Sequence, residues 1–425
     1  MNPKPASRRQ FLKTSALAAG ALGAGTIANV HAGGGDTLRI GLIGCGGRGT
    51  GAAENAVNAD SNVKLVAVAD AFPDRIEKSL AQMQRDLGDA FETKVEVPPD
   101  RRFSGFDAYK HVIDSSDVVL LCTPPGFRPM HLKAAVEAGK QIFCEKPMAV
   151  DGPGVRSVIE SCARAKEKNI NLVSGFCYRY DPPKRETVAR LHDGAIGDIV
   201  AIQANYLTGP IWHVERTPSM SDMEWQMRNW YYFTWLSGDH NVEQHVHNLD
   251  KAAWVMKNQY PVAATGLGGR QVRVDPKFGQ IFDHHAVVYE YANGAKLFSF
   301  CRQQKGCAND VSDHIMGTNG SCQLMKHSID GPHKWSYRGT SIDMYQVEHN
   351  ELFAAIRSGK TLNDGDFLAR STLMGVLGRM ATYTGKRVTW EQALNSKEDL
   401  MPEKLDMAMS LPIPPVAMPG QTKLS

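Results

Sequence analysis

The sequence predicts an α/β protein, with an N-terminal doubly wound parallel sheet followed by an α+β domain built on a large, mainly antiparallel open sheet. Three observations carry this. Short apolar runs alternate with helical stretches from Thr37 to Phe176, a glycine-rich turn follows the first run, and after Tyr178 the texture changes to longer alternating strands and aromatic-rich loops.

Before these elements, Ser7-Arg8-Arg9-Gln10-Phe11-Leu12-Lys13 precedes an uncharged Ala/Gly/Leu stretch from Thr14 to Ile27. This reads as a twin-arginine signal peptide over residues 1–32, ending in the small-residue pattern Val30-His31-Ala32. The apolar run is shorter than the ~20 residues a membrane span needs. An uncleaved anchor or a charged cytosolic N-terminus is the alternative, and the pairing of Arg-Arg with Phe-Leu-Lys argues against it. Export by the twin-arginine machinery to the periplasm is therefore expected, with no membrane attachment of the mature form.

The whole chain carries a formal charge of +3. Cleavage removes Lys4, Arg8, Arg9 and Lys13 and no acid, leaving a nearly neutral protein. That balance offers no footprint for nucleic acid and points to a small-molecule partner. None of the 8 cysteines forms a Cys-x-x-Cys pair. Cys45, Cys122 and Cys144 fall in or beside buried strands as core thiols, while a pairing among Cys301, Cys307 and Cys322 stays open.

Strands are expected at Leu38–Ile43, Val63–Ala69, Val118–Cys122, Gln141–Cys144 and Ile170–Phe176. Helices are expected from Gly49, from Pro73, over Pro129–Ala138 and over Gly154–Lys168. This defines a first domain at 36–176. The second, 177–400, contains strands Ile199–Tyr206, Val262–Gly266, His284–Tyr291 and Lys296–Cys301, then helices near Met344–Ser358 and Phe367–Thr384. Residues 401–425 read as a Pro-rich tail lying on a surface.

Gly44-Cys45-Gly46-Gly47-Arg48-Gly49 is a Gly-x-Gly-x-x-Gly between a strand and a helix, the dinucleotide-binding context of a Rossmann fold. The first glycine permits the tight turn, the second admits the pyrophosphate to the backbone, and the third lets helix and strand pack. Asp70 closes the next strand where an acid meets the adenosine ribose. An acid there favours NAD, with NADP kept open by Arg48 and Arg75 nearby.

Thr123-Pro124-Pro125, Ala138-Gly139-Lys140 and Cys144-Glu145-Lys146-Pro147 resemble the glucose-fructose oxidoreductase, inositol dehydrogenase and rhizopine-catabolism (Gfo/Idh/MocA) family. The likeness continues in Gly175-Phe176-Cys177-Tyr178-Arg179-Tyr180, Gly194-Ala195-Ile196-Gly197, His314 to Gly320 and Thr384-Gly385-Lys386. The resemblance implies a nicotinamide-dependent oxidoreductase acting on a sugar or polyol, with Thr123, Pro124, Glu145 and Lys146 at the cofactor. It also implies that a second-domain helix supplies an acid and a histidine one turn later, here Glu243 and His247 within Gly238–Asp250. The family pattern has an aspartate and several glycines where this chain has Glu243 and His245.

Oxidising a secondary alcohol sends hydride to the nicotinamide while a base removes the hydroxyl proton. A histidine starts nearer neutrality than a lysine. His247 is therefore assigned as proton acceptor, Lys146 as the group that stabilises alkoxide charge, and Glu243 as orienting His247 or binding a substrate hydroxyl. Pro147 restricts Lys146 to extended backbone, and a cis bond there is open. His240, Glu243 and His247 share one helical face on this reading, a pattern that suits zinc. The same spacing follows from the dehydrogenase assignment, so no metal is expected.

Trp212, His213, Trp225, Arg228, Asn229, Trp230, Tyr231 and Tyr232 form an aromatic and polar cluster suited to sugar rings. Arg179, Trp212, Arg228, Trp230 and His247 are the expected substrate contacts. The Tyr231-Tyr232-Phe233 run is equally suited to a subunit contact, and the open sheet favours a homo-oligomer. An exported dehydrogenase has no free nicotinamide pool around it, so the cofactor is expected to stay bound and be recycled. Two other functions fit the same residues: a glycoside hydrolase or lyase working through transient sugar oxidation, and a non-catalytic ligand-binding relative.

Overall fold

The computed structural model describes residues 36–424, so the expected signal peptide lies outside the described residues. Strands β1 (Leu38–Ile43), β2 (Val63–Asp70), β3 (Arg102–Ser104), β4 (Val118–Leu121), β5 (Gln141–Cys144) and β6 (Leu172–Ser174) form one parallel sheet in the order β3-β2-β1-β4-β5-β6. This is the doubly wound order, whose topological switch lies between β1 and β4. The three residues of β3 lack a long apolar run, which is why the sequence pattern does not reveal them.

Both faces of this sheet are buried, as parallel sheets require. One packs against the helices Gly47–Asn58 and Pro73–Leu87, the other against Ala108–Ser115, Arg128–Glu137 and Gly152–Glu167. The helix Met344–Ser358, distant in sequence, returns to the first face through Leu352, Phe353 and Ile356. Arg357 pairs there with Asp60 at 2.8 Å, and Asn55 donates to Gln346.

The second sheet has nine strands, β7 (Ile199–Thr208), β8 (Ala263–Gly269), β9 (His284–Glu290), β10 (Lys296–Gln303), β11 (Asp310–Gly317), β12 (Gly320–Gln323), β13 (Ser328–Asp330), β14 (Trp335–Ser336) and β15 (Val388–Thr389). Their order is β14-β13-β12-β11-β7-β10-β9-β8-β15, antiparallel except for the β7–β10 pair. Strict alternation of burial along β9 shows one face packed and one open. The packed face meets the helices Pro182–His192, Val246–Val255 and Gly365–Thr384.

Residues 400–411 lie along their own chain's surface. Leu400, Met401, Leu405, Met407, Met409 and Leu411 pack on the cluster containing Trp225, Tyr231, Tyr232 and Phe233. The Tyr-Tyr-Phe run is thus buried intramolecularly and is no subunit contact. All eight cysteines are free thiols, with Cys307 alone exposed. Among the described residues, no helix is long and apolar enough to cross a membrane.

Candidate active site

A cleft of about 650 Å³ opens at the carboxyl ends of β1, β2, β4 and β5 and is bordered on its other side by Tyr206 of β7 and by the segment between β7 and β8. Open α/β sheets bind ligands at this edge because the strands diverge at the switch point. The glycine-rich turn lines it. Gly44 has φ +102, and a Cβ there would sit 2.6 Å from the Cys122 carbonyl carbon. A Cβ on Gly49 would lie 1.9 Å from the Gly44 oxygen, so the helix packs against the turn only because the side chain is absent.

Gly46 and Gly47 are different: a Cβ on either meets nothing within 4 Å. Their bareness serves open space in the cleft, not protein packing. Gly46 caps the helix Gly47–Asn58 with no side-chain hydrogen bond, leaving its first N–H groups available to an anion. A dinucleotide pyrophosphate fits this cradle.

Asp70 holds the turn in shape, accepting from Cys45 N at 2.8 Å and from Phe72 N at 3.0 Å. Burial pushes its carboxyl up, against the lowering effect of those two bonds. Arg48 is not available to a 2'-phosphate. Its guanidinium is tied to Glu145 and, at 2.8 Å, to Glu348, and lies 4.6 Å from the Tyr345 ring. Arg75 also lines the cleft, and its charge acts on Asp70.

Thr123 and Pro124 form the wall after β4, and Glu145 and Lys146 the wall after β5. Buried Arg128 donates to the carbonyls of Thr123 and Pro147 and so joins the two walls. Gly175 lies under the Glu145 carboxylate, where a Cβ would come within 2.6 Å. The Lys146–Pro147 bond is cis.

Lys146 reaches across to the second domain. Its Nζ donates to the Glu243 carbonyl at 2.8 Å and to Glu243 Oε1 at 3.1 Å. The helix expected through Glu243 and His247 is interrupted. Gly238 and Asp239 both have positive φ, a short helix spans His240–Glu243, and the next begins at Val246. His245 N bonds to the His240 carbonyl five residues back, and this wide turn adds a residue to the helical spacing. Glu243 consequently meets Lys146, and orientation of His247 by Glu243 is not what the geometry shows. Both residues nonetheless line the cleft.

His247 packs edge-on against Tyr178, ring centres 5.4 Å apart, and its Nδ1 has no hydrogen-bond partner. Burial holds its pKa well below the usual histidine value, aided by the positive charges of Lys146, Lys251 and Arg48. This favours the neutral imidazole. Lys251, one turn further on, forms a fully buried pair with Asp313 at 2.5 Å and lies 4.4 Å from the Tyr178 ring.

The interrupted helix also removes His240 from the site. It pairs through Nδ1 with Asp239 Oδ1 at 2.7 Å, and His285 Nε2 approaches the same oxygen at 3.3 Å. Asp239, His240 and His285 are the group among the described residues able to gather three metal ligands. The other oxygen of Asp239 already accepts from Tyr383 Oη and Phe282 N, so this carboxylate is a hub that ties the helix start to β9 and the helix Gly365–Thr384.

Of the expected substrate contacts, Trp212, Trp230 and His247 line the cleft and the two arginines do not. Arg179 is buried in a double-contact pair with Asp250, its guanidinium 3.9 Å from the Phe367 ring centre. Arg228 bridges Glu224 and Asp74 and stacks on Phe72, joining the two domains beside the cleft. Tyr231, from the expected aromatic cluster, lines the site, as do Tyr206 and Gln244, which were not anticipated. Gln244 Oε1 accepts from Tyr231 Oη at 3.2 Å and from Gln303 Nε2 at 2.5 Å. Tyr206 closes the strand expected at Ile199–Tyr206, but nothing in that alternating pattern marked it as a site residue.

This cleft, with a phosphate cradle on a Rossmann sheet and a lysine and a neutral histidine at its far end, belongs to an NAD-dependent oxidoreductase. Residues 38–176 match the model described as oxidoreductase family, NAD-binding Rossmann fold (GFO_IDH_MocA). The chain is 26% identical over 287 residues to an inositol 2-dehydrogenase of Rhizobium meliloti strain 1021, covering 67% of this chain and 74% of that one. It is 25% identical over 339 residues to an inositol 2-dehydrogenase of Cereibacter sphaeroides ATCC 17029, covering 76% and 87%. Among solved structures it resembles a levoglucosan dehydrogenase in complex with NADH and levoglucosan, with TM-score 0.62, 20% identity and coverage of 83% and 99%.

Proposed function

We propose that this protein oxidises a secondary alcohol of a sugar, polyol or sugar derivative, using Lys146 and His247 on the substrate oxygen. The carrying observation is their convergence from different domains on one cleft, with Lys146 held by Glu243. Bound nicotinamide supplies the hydride acceptor. Lys146 Nζ donates to the reacting oxygen and stabilises the charge that develops there. The neutral His247 takes the hydroxyl proton. Glu243 fixes Lys146, and the Tyr206–Gln244–Tyr231 floor offers hydroxyl-binding groups. The uncharged, aromatic outer wall suits a neutral polyhydroxylated ring better than an acid or a phosphate.

The inositol 2-dehydrogenases and the levoglucosan dehydrogenase named above support this substrate class. The Arg-Arg motif supports export to the periplasm with a retained, recycled cofactor. The two sheets support a division into 36–176 and 177–400, and the packing of Leu400 to Leu411 on the aromatic cluster supports a surface-lying tail at 401–425. Exposed Leu267, Phe298 and Met316 on the open sheet face support self-association. The test is absorbance at 340 nm of purified mature protein mixed with NAD and myo-inositol, scyllo-inositol, levoglucosan or glucose. Growth with a member of this panel is expected; no growth with any, in protein shown to bind NAD, refutes the assignment.

A further inference from the structure

Trp212 stands apart from the other aromatic residues of the cleft. Among the described residues with exposed large apolar side chains, it alone lines the cleft, and it is 44% exposed. An apolar ring of this size left open inside a binding site has no packing role to fulfil on that side. Its inner side rests on Trp230 and Tyr231, ring centres 5.9 and 5.8 Å away.

The backbone that carries the ring is held in place. The Trp212 carbonyl accepts from Tyr232 Oη at 2.9 Å. Val214 N donates to Asn229 Oδ1 at 2.8 Å, and Asn229 Nδ2 returns a bond to the Val214 carbonyl at 2.9 Å, with Asn229 fully buried. From outside, the C-terminal segment clamps the same region: Gln226 Nε2 donates to the Leu411 carbonyl, and Asp222 Oδ2 accepts from Ser410 Oγ and Leu411 N. A side chain on backbone pre-ordered in this way loses less entropy when a ligand stacks on it.

Tyr231 links this ring to the reacting end. Its hydroxyl belongs to the polar floor with Gln244, next to Glu243, while its ring meets Trp212 edge-on at 72°. Trp212 therefore lies one ring beyond the floor that a reacting sugar would occupy. Trp230 and Tyr231, the rings it touches, and Ile211 and Met227, which pack with them along the cleft, carry no charge.

We infer that Trp212 is a platform for a second, neutral sugar ring, so that a glycoside or disaccharide is a better substrate than the corresponding free monosaccharide or inositol. This rests on the dehydrogenase assignment above and names its substrate class more narrowly. Apolar contact beyond the reacting ring is used to hold the substrate in register with Lys146 and His247.

The test compares the holoenzyme on matched pairs, glucose with cellobiose and maltose, galactose with lactose, and myo-inositol with galactinol, following NAD reduction. For at least one pair, kcat/KM is expected to favour the two-ring member by about tenfold or more. Trp212→Ala should shrink that ratio about tenfold and Trp212→Phe should restore most of it. Preference for the single-ring member in every pair, or a ratio unchanged in Trp212→Ala, overturns the inference. Tryptophan fluorescence separates this from failure of the dehydrogenase reading. If no member of the panel is oxidised, quenching by a disaccharide that is lost in Trp212→Ala keeps the platform and rejects the chemistry. Absence of such quenching rejects the platform as well.

Discussion

Replacing Gly46 and Gly49 by alanine, one at a time, separates cofactor binding from folding. At position 49 the new Cβ would lie 1.9 Å from the Gly44 oxygen. Carbon and oxygen do not approach much closer than about 3.3 Å, so helix and turn must part by more than an ångström. Overpacking of this kind costs about 1–3 kcal/mol and displaces the phosphate cradle too. At position 46 there is nothing within 4 Å, and φ −75, ψ 177 is backbone that alanine adopts freely. Stability should then stay within about 0.5 kcal/mol, the poorer helix cap offsetting the reduced freedom of the unfolded chain. The methyl would occupy the space reserved for pyrophosphate. Loss of one charge-assisted hydrogen bond, about 1.5–3 kcal/mol, raises the Kd for NAD roughly tenfold to 150-fold. Calorimetric titration with NAD and urea unfolding read the two quantities. A Gly46→Ala protein that binds NAD within twofold of wild type would refute the cradle.

Other expectations follow from the same geometry. Because His247 is held well below the ordinary histidine pKa, its proton-free form persists on the acid side, so kcat/KM should stay flat from pH 8 down to about 6. His247→Asn should lower kcat by about a hundredfold or more without weakening NAD binding, and an acid limb centred near pH 7 would contradict the assignment. Lys251→Met leaves the Asp313 carboxylate buried without its partner and should cost about 3–5 kcal/mol in urea unfolding. Adding Asp313→Leu should recover much of that loss; additive losses would show that the pair is not coupled. Tyr206→Phe removes a hydroxyl from the cleft floor and should raise KM several-fold with little change in NAD affinity, as measured by steady-state kinetics beside NAD titration.

The parallel sheet was legible because its buried strands are uninterrupted apolar runs and its glycine turn sits between a strand and a helix. Every strand except β3 announced itself in this way. The helix Met344–Ser358 was visible as an element, yet no local pattern could say that Leu352 and Phe353 pack on the first sheet. The same limit applies to the site. Lys146 and His247 were found through the ordered motifs around them, but the partner of Glu243 was misjudged because residues four apart were assumed to share a face. One wide turn, between His240 and His245, alters that spacing, and it leaves no periodicity signal. Arg179 lies in the Gly175–Tyr180 motif and Arg228 in the aromatic and polar cluster, and both were expected at the substrate. Their partners, Asp250 and Asp74, lie 71 and 154 residues away and are revealed only by the fold.

The account stands most directly on Lys146 as the group at the reacting oxygen. A Lys146→Met holoenzyme, rapidly mixed with a sugar or polyol that the wild type oxidises, can be followed at 340 nm through a single turnover, with NAD occupancy measured on the same sample. The predicted result is unchanged NAD occupancy with absorbance growth slowed by about a thousandfold, as expected when oxyanion stabilisation is lost. Growth at the wild-type rate with NAD fully bound would contradict it.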